Sequence, residues 1–159
     1  MKAAILTIST SRAAGEAEDR GGPALAGWAE SIGAEVSLTA TIADDRGAIA
    51  GRLRDLADRG QVDLILTTGG TGFAPADLTP EATRQVIVRE APGIAEAMRA
   101  ASAAHTPHWM LSRAVAGIRG RVLIVNFPGN PKAIAEAGEA IAAALPHAVA
   151  LLREEPAGH

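Results

Sequence analysis

The sequence contains no cysteine among its 159 residues. Disulfide bonds, thiolate zinc sites and cysteine nucleophiles are therefore excluded. A chain of this length buries roughly 70% of the surface that its unfolded form exposes, so a single domain needs no covalent cross-link. We expect one domain over residues 1–153 and a flexible tail over residues 154–159.

Basic charge and long apolar runs are also scarce. The chain has 15 lysines and arginines against 18 acidic residues, and no basic run of the kind that binds duplex nucleic acid. The apolar run near the N-terminus is too short for a signal peptide, and no stretch approaches the ~20 residues of a membrane span. We therefore expect a cytoplasmic protein that binds neither nucleic acid nor a membrane.

Short apolar runs alternate with segments of helical spacing, and this alternation is the main signal for the fold. Strands that are separated by helices imply parallel pairing, with helices on both faces of the sheet. We predict an α/β fold with a mostly parallel sheet. The predicted strands cover residues 3–9, 35–43, 62–70 and 121–129, and the predicted helices cover residues 23–33, 47–60, 80–88, 94–103 and 132–152, the last broken near Pro146.

The segment LTTGGTGFAPADLTPEAT, Leu66–Thr83, carries three closely spaced glycines at the end of a predicted strand. Ligands of parallel α/β sheets bind beyond the carboxyl ends of the strands. Gly69, Gly70 and Gly72 have no Cβ and permit positive φ, so successive backbone N–H groups can converge on an anion. A sharp strand exit without a ligand is the alternative. We predict a phosphate loop that opens into the largest polar crevice.

Two familiar phosphate motifs are absent from this segment. A Walker loop needs a lysine after its glycines, and the only lysines, Lys2 and Lys132, do not follow a glycine. A G-x-G-x-x-G pattern that begins at Gly70 would need a third glycine where Pro75 stands. A phosphate at this loop must therefore be held in another way.

Two acidic residues follow predicted strands at the same edge. Thr79, Pro80 and Glu81 form an N-cap signature, so a helix should begin just after Asp77. Asp44 follows the strand that precedes the loop strand. Because Mg²⁺ binds through one or two carboxylates together with substrate phosphates, we predict that Asp44 and Asp77 hold Mg²⁺. The alternatives are a helix-dipole interaction for the second acid and a solvated or helix-capping role for the first.

The loop and the acids together resemble a motif of the MogA/MoaB-type molybdopterin-binding proteins, which act in molybdenum cofactor assembly. The motif is TTGGTG, a short spacer and DLTPEAT, Thr67–Thr83. Three further segments occur in the order and spacing of that family: EAMR (Glu96–Arg99), LSRAVAGI (Leu111–Ile118) and NFPGNPKA (Asn126–Ala133). The resemblance covers essentially the whole chain.

The resemblance implies a three-layer α/β fold, commonly a trimer, that binds the dithiolene pterin phosphate. MogA-like members transfer AMP from Mg-ATP to that phosphate and release pyrophosphate. The resemblance thus implies a molybdopterin adenylyltransferase with molybdopterin and ATP as substrates, Mg²⁺ as cofactor and a molybdate-inserting enzyme as a further partner. A non-catalytic molybdopterin carrier of the MoaB type is the alternative. A related CinA-type nucleotide hydrolase is disfavoured by Thr71 and by the DLTPEAT continuation.

The resemblance also implies roles for individual residues. Asp44 and Asp77 correspond to the two essential acids of the family, as catalytic residues and metal ligands. The segment Ser9–Arg12 is similar to the one that helps hold the pterin phosphate, and Ser112 with the NFPGNP turn is similar to the remaining wall of the site. The predicted contacts with ATP or pterin are Ser9, Ser11, Arg12, Gly69, Gly70, Thr71, Gly72, Thr79, Ser112, Asn126, Pro128 and Gly129.

Two positions depart from the family pattern. Many members carry Ser-Asp-Arg where this chain has Thr-Ser-Arg, Thr10–Arg12, a difference that resembles MoaB-like relatives and weakens an assignment to the MogA branch. Many also carry a basic residue where this chain has Ala76. We expect Arg12, Arg113 or Lys132 to supply the missing positive charge.

Overall fold

Strands form where aliphatic and β-branched residues run together, and helices form between them. The computed structural model describes residues 1–154. The strands are β1 (Lys2–Ile8), β2 (Glu35–Ile42), β3 (Leu64–Thr68), β4 (Arg89–Glu90), β5 (Ala116–Arg119) and β6 (Val122–Phe127). The helices are α1 (Thr10–Ala13), α2 (Gly21–Ser31), α3 (Arg46–Asp58), α4 (Thr79–Val86), α5 (Pro92–Ser102), α6 (Pro131–Glu139) and α7 (Ala144–Leu152), with a 3-10 turn at Trp109–Leu111.

The six strands form one sheet in the order β2-β1-β3-β6-β5-β4. Strands β2, β1, β3 and β6 are parallel, whereas β5 is antiparallel to both β6 and β4. The prediction of a mostly parallel sheet is therefore confirmed. The register pairs Thr7 with Thr68 and Thr68 with Phe127, so β1, β3 and β6 end at the same level.

Helices cover both faces of the sheet because side chains of each strand alternate between the faces. One hydrophobic cluster joins the sheet to α2, α5, α6 and α7, and the other joins it to α3 and α4. In β1, Ile5 belongs to the first cluster and Leu6 to the second. This arrangement confirms the three-layer architecture.

Two short strands and one helix break differ from the predictions. Strands β4 and β5 were not predicted, and β5 joins β6 through a two-residue turn at Gly120, which has a φ of +58°. The last helical segment is interrupted at residues 140–143, and Pro146 lies in the first turn of α7, where the N–H groups of a helix lack acceptors anyway. The predicted tail falls mostly on residues 155–159, which lie outside the described residues.

Within residues 1–154, no single helix is both long and apolar enough to cross a membrane. Helices α6 and α7 pass that test only when taken together, and they are bent by 71° relative to each other.

Candidate active site

The carboxyl edge of the parallel strands gathers the loops that the sequence analysis singled out. The loops that follow β1, β3 and β6 begin at Ser9, Gly69 and Pro128, respectively. They are closely packed: a Cβ placed on Gly21, at the start of α2, would lie 3.0 Å from the carbonyl oxygen of Gly129. Glycines at this edge thus allow the backbones of different loops to approach one another.

Gly69 and Gly70 are required by the turn itself. Their φ angles are +98° and +67°, which favour glycine. A Cβ on Gly69 would lie 2.5 Å from the carbonyl oxygen of Ile8, and one on Gly70 would lie 2.4 Å from Oγ1 of Thr79. The added Cβ atoms would therefore contact other protein atoms and would not reach a bound ligand. The sequence analysis inferred that these glycines leave room for a phosphate, and the structure contradicts that reason.

Thr79 forms two hydrogen bonds with the backbone of the loop. Its buried hydroxyl donates to the carbonyl oxygen of Gly69 at 2.9 Å, and its N–H donates to the carbonyl oxygen of Gly70 at 3.1 Å. Helix α4 begins at Thr79 itself, with Leu78 as the residue before it. The predicted N-cap role of Thr79 is therefore wrong, because its hydroxyl bonds the loop instead of the first turn of the helix.

Four consecutive backbone N–H groups in the loop have no acceptor in the part of the chain that the structure describes. They belong to Gly70, Thr71, Gly72 and Phe73, whereas the N–H groups of Gly69 and Ala74 are both bonded. A run of unpaired amides beside a residue with positive φ is typical of an anion-binding loop. The loop thus offers the donors of the predicted phosphate site, although its glycines serve the turn.

Asp77 closes the same loop. Its Oδ2 accepts the N–H of Ala74 at 2.9 Å, and a Cβ on Gly72 would lie 2.9 Å from that oxygen. Its Oδ1 makes no hydrogen bond within residues 1–154. One carboxylate oxygen therefore shapes the loop while the other stays free for a ligand.

Asp44 is held by the loop after β1. Its Oδ2 accepts both the N–H of Thr10 at 2.8 Å and the hydroxyl of Thr10 at 3.0 Å. The neighbouring Asp45 caps helix α3 by accepting the N–H of Ala48 at 2.7 Å. The helix-capping alternative therefore applies to Asp45 and not to Asp44, whose Oδ1 has no partner among the described residues.

The two acids suit a metal ion that substrate completes. Asp44 follows β2 and Asp77 follows β3, and β1 lies between these strands, so the strand ends are ~10 Å apart. Each acid has one free oxygen, and the described part of the chain has no group of three or more His, Cys, Asp or Glu residues that could hold a metal. Each acid would therefore supply one carboxylate oxygen to a Mg²⁺ ion whose remaining ligands are phosphates and water.

Arg113 binds the backbone of the loop after β3 through three hydrogen bonds. Its Nε donates to the carbonyl oxygen of Gly72 at 2.7 Å, its Nη2 donates to that of Asp77 at 2.6 Å, and its backbone N–H donates to that of Thr71 at 2.9 Å. Its guanidinium also pairs with the carboxylate of Glu81 in α4. The expectation that Arg113 supplies charge to a phosphate is therefore wrong, because its donors are already used by the protein.

The ion pair between Arg113 and Glu81 should make the stability of the protein sensitive to acid. The Arg113 hydrogen bond lowers the pKa of Glu81 below its usual 4.5 against the opposing effect of burial. A lowered pKa means that this contribution to stability is present above pH ~4.5 and is lost as the pH falls through the folded-state pKa. We expect Glu81→Gln to lower the free energy of unfolding at pH 7 by about 1 kcal/mol or less and to have a smaller effect at pH 3.

Denaturant unfolding at both pH values measures this difference. Glu139→Gln on α6 is the matched control, because Glu139 is exposed and forms no ion pair within residues 1–154. An equal loss of stability for Glu81→Gln at pH 3 and pH 7 would contradict the assignment.

A cavity of about 140 Å³ lies between α5, α6 and the 3-10 turn. Ser112 and Pro128 line it as predicted site residues, and Trp109 and His108 line it without having been predicted. Arg99 reaches its wall, where Nη1 donates to the carbonyl oxygen of Ala114 at 2.9 Å. The lining is mostly apolar with a few polar groups, as in ligand pockets in general, but the volume is below the roughly 300–1,000 Å³ of such pockets.

Asn126 lies inside the protein and not on the wall of the site. Its side chain is fully buried, donates to the hydroxyls of Thr67 at 3.0 Å and Thr83 at 2.9 Å, and accepts the N–H of Val115 at 3.1 Å. It therefore fixes β3, α4 and β5 relative to one another beneath the site. The side chain of Thr71 is buried as well.

The segment after β1 remains available to a ligand. Ser9 caps α1 by accepting the N–H of Arg12 at 3.4 Å, and its hydroxyl lies 3.2 Å from that of Ser11. Arg12 donates to the carbonyl oxygen of Glu18 at 3.1 Å and pairs with no carboxylate among residues 1–154. Its charge is therefore not neutralised, in contrast to that of Arg113. Lys132 is mostly exposed, 3.8 Å from Glu136.

A polar crevice larger than the cavities beside Thr7 and Trp109 at the carboxyl edge lies elsewhere in the protein, contrary to the prediction. A cavity of about 550 Å³ lies at the opposite end of the sheet, lined by Lys2, Asp63 and Arg153 among others. A cavity of about 360 Å³ also lies beside the carboxyl halves of β1 and β2, where Thr7, Asp19 and Thr41 line it among others. Asp19 accepts the hydroxyl of Thr7 at 2.7 Å and the N–H of Gly22 at 2.9 Å.

Comparison with known proteins agrees with this architecture. A molybdopterin biosynthesis enzyme, MoaB from Thermus thermophilus, superimposes with a TM-score of 0.91 at 44% identity over 99% of both chains. Molybdopterin adenylyltransferase from Helicobacter pylori J99 is 47% identical over 111 residues, which are 70% of this chain and 63% of the relative. Molybdenum cofactor synthesis protein cinnamon from Drosophila melanogaster is 40% identical over 95% of this chain.

This chain spans only a quarter of the length of the Drosophila protein and less than two thirds of the Helicobacter one. Residues 4–147 match the model of a family described as probable molybdopterin binding domain. That match covers the sheet except for the first two residues of β1, the helices α1 to α6 and every loop at the carboxyl edge. The chain therefore belongs to the family of probable molybdopterin-binding domains.

Proposed function

We propose that this protein is a molybdopterin adenylyltransferase, which transfers AMP from Mg-ATP to the terminal phosphate of molybdopterin and releases pyrophosphate. The observation that carries the proposal is the unpaired run of N–H groups at Gly70–Phe73, with the free carboxylate oxygen of Asp77 beside it. The name of the Helicobacter relative supports the same reaction. Fold alone would not, since one fold can serve several reactions.

The reaction joins two anions, so charge repulsion and alignment are its main obstacles. A phosphate oxygen of the pterin attacks the α-phosphorus of ATP, and the bond from that phosphorus to pyrophosphate breaks. The amides of Gly70–Phe73 donate to phosphate oxygens, and Arg12 contributes an unneutralised positive charge. Asp44 and Asp77 would hold Mg²⁺, which when bound would offset phosphate charge. No covalent enzyme intermediate is required.

The cavity beside Trp109 is the proposed site of the pterin ring system. Its apolar lining suits a flat heterocycle, and the polar groups of Ser112 and Arg99 supply hydrogen bonds at its edge. The cavity adjoins the NFPGNP turn, whose Pro128 lines it. The pterin would thus enter from one side of the carboxyl edge, while the nucleotide phosphates occupy the loop after β3.

Filling the cavity should block pterin binding without unfolding the protein. Ala133 on α6 lines the cavity, so Ala133→Leu places three further carbon atoms in it. We expect molybdopterin affinity to fall on the order of tenfold through steric exclusion, with ATP affinity unchanged. Ala135→Leu is the matched control, because Ala135 lies on the same helix and is exposed. Equal affinities for both variants would place the pterin elsewhere.

Incubation of the purified protein with molybdopterin and Mg-ATP tests the proposed function. We expect adenylylated pterin and pyrophosphate in equal amounts. A protein that binds molybdopterin but forms no adenylylated product would instead be the MoaB-type carrier, the second candidate, which the Thr-Ser-Arg sequence at Thr10–Arg12 favours. The proposal includes a cytoplasmic homotrimer that passes its product to a molybdate-inserting enzyme.

A further inference from the structure

Aromatic residues are so few that the position of each is informative. The chain has two phenylalanines, two tryptophans and no tyrosine. Trp28 and Phe127 pack together in the core with ring centroids 4.9 Å apart, and Trp109 lines the cavity proposed for the pterin. Phe73 is the remaining aromatic residue, and it is 68% exposed.

The backbone around Phe73 is fixed although its ring is not covered. The carbonyl of Gly72 before it accepts Nε–H of Arg113, and the N–H of Ala74 after it donates to Asp77. The N–H of Phe73 is the last of the four unpaired donors. The loop therefore fixes the backbone of Phe73 directly beside the groups that suit phosphate, and the ring extends from it into solvent.

The loop is joined to a segment that exposes apolar side chains. The N–H of Arg113 donates to the carbonyl oxygen of Thr71, which ties the loop to the segment that follows the 3-10 turn. That turn carries Met110 and Leu111, which are 61% and 42% exposed.

We propose that Phe73 is the platform on which the adenine of ATP stacks, so that it determines selectivity for a nucleotide over other polyphosphates. This inference rests on the proposed function, since it assigns the base of the same substrate. Stacking needs only a π-face, which a phenyl ring supplies. The unpaired donors end at Phe73, so a triphosphate on them brings its nucleoside towards the ring.

Calorimetry with two probes, Mg-ATP and Mg-tripolyphosphate, tests the inference on the full chain. Tripolyphosphate has the charge of the ATP tail but no base. We expect Phe73→Ala to weaken Mg-ATP binding about tenfold or more, as for loss of one stacked base, and to leave tripolyphosphate binding unchanged. Phe73→Trp should retain the affinity for ATP, because it retains a π-face.

Val88→Ala is the matched control, because Val88 is equally exposed, at 73%, and lies outside the loop. It should bind both probes as the wild type does. An equal loss of both probes in Phe73→Ala would overturn the inference by showing that the residue only shapes the loop. Unchanged ATP affinity in Phe73→Ala would place the base elsewhere. A wild-type protein that binds no Mg-ATP would instead overturn the proposed function itself.

Discussion

Asp77→Asn should leave the protein folded and lower the rate of AMP transfer by about a hundredfold or more. Asparagine retains an oxygen that can accept the N–H of Ala74, so the loop keeps its closing hydrogen bond. It removes the negative charge that would hold Mg²⁺ against the ATP phosphates. Loss of ~3 kcal/mol of transition-state stabilisation corresponds to a rate decrease of about a hundredfold.

Melting temperature and transfer rate, measured on one preparation, separate this role from a helix-dipole role. The dipole role predicts a loss of ~0.3–1 kcal/mol of stability and a nearly normal rate. Asp45→Asn is the matched control, because Asp45 caps α3 and its neighbour Asp44 is the proposed ligand. A fully active Asp77→Asn variant would mean that Asp77 does not hold the metal.

Gly69→Ala should destabilise the protein by about 3 kcal/mol, of which ~1–2 kcal/mol comes from a left-handed backbone and the remainder from overpacking. The φ of Gly69 is +98°, and the new Cβ would lie 2.5 Å from the backbone oxygen of Ile8. Since that oxygen belongs to β1, it cannot move without disturbing the sheet. For a domain of this size the melting temperature should fall by ~6–12 °C.

Gly15→Ala separates the two contributions. Gly15 has a φ of +75°, but nothing lies within 4 Å of an added Cβ. We expect it to cost ~1–2 kcal/mol, the backbone contribution alone. Equal costs for Gly15→Ala and Gly69→Ala in denaturant unfolding would show that the close contact with β1 contributes nothing.

The parallel strands and their helices were predictable because each carries its own local signal. Strand β3 and helix α3, for example, lie within two or three residues of the predicted bounds. Strands β4 and β5 carry weaker signals, since β4 has two residues and β5 contains a glycine and an arginine. The turn at Gly120 was a hairpin signal that could have indicated β5.

The end of the sheet at which the candidate residues lie was predictable, but the contacts that support them were not. Strand order at a parallel edge is enough to expect the loop after β3 and the two acids at one end. The contact between Arg113 and Gly72 joins residues 41 apart, and that between Thr10 and Asp44 joins residues 34 apart. No local pattern encodes such pairs. Asn126 was predicted to contact a ligand because it belongs to a family motif, but its side chain is buried.

Transfer of a labelled phosphorus atom tests the central claim most directly. The protein is incubated with molybdopterin and Mg-ATP that carries the label at either the α- or the γ-phosphorus. AMP transfer predicts that the α label appears on the pterin and that the γ label appears only in pyrophosphate. Label from the γ position on the pterin, release of ADP, or no label on the pterin with either ATP would contradict the claim.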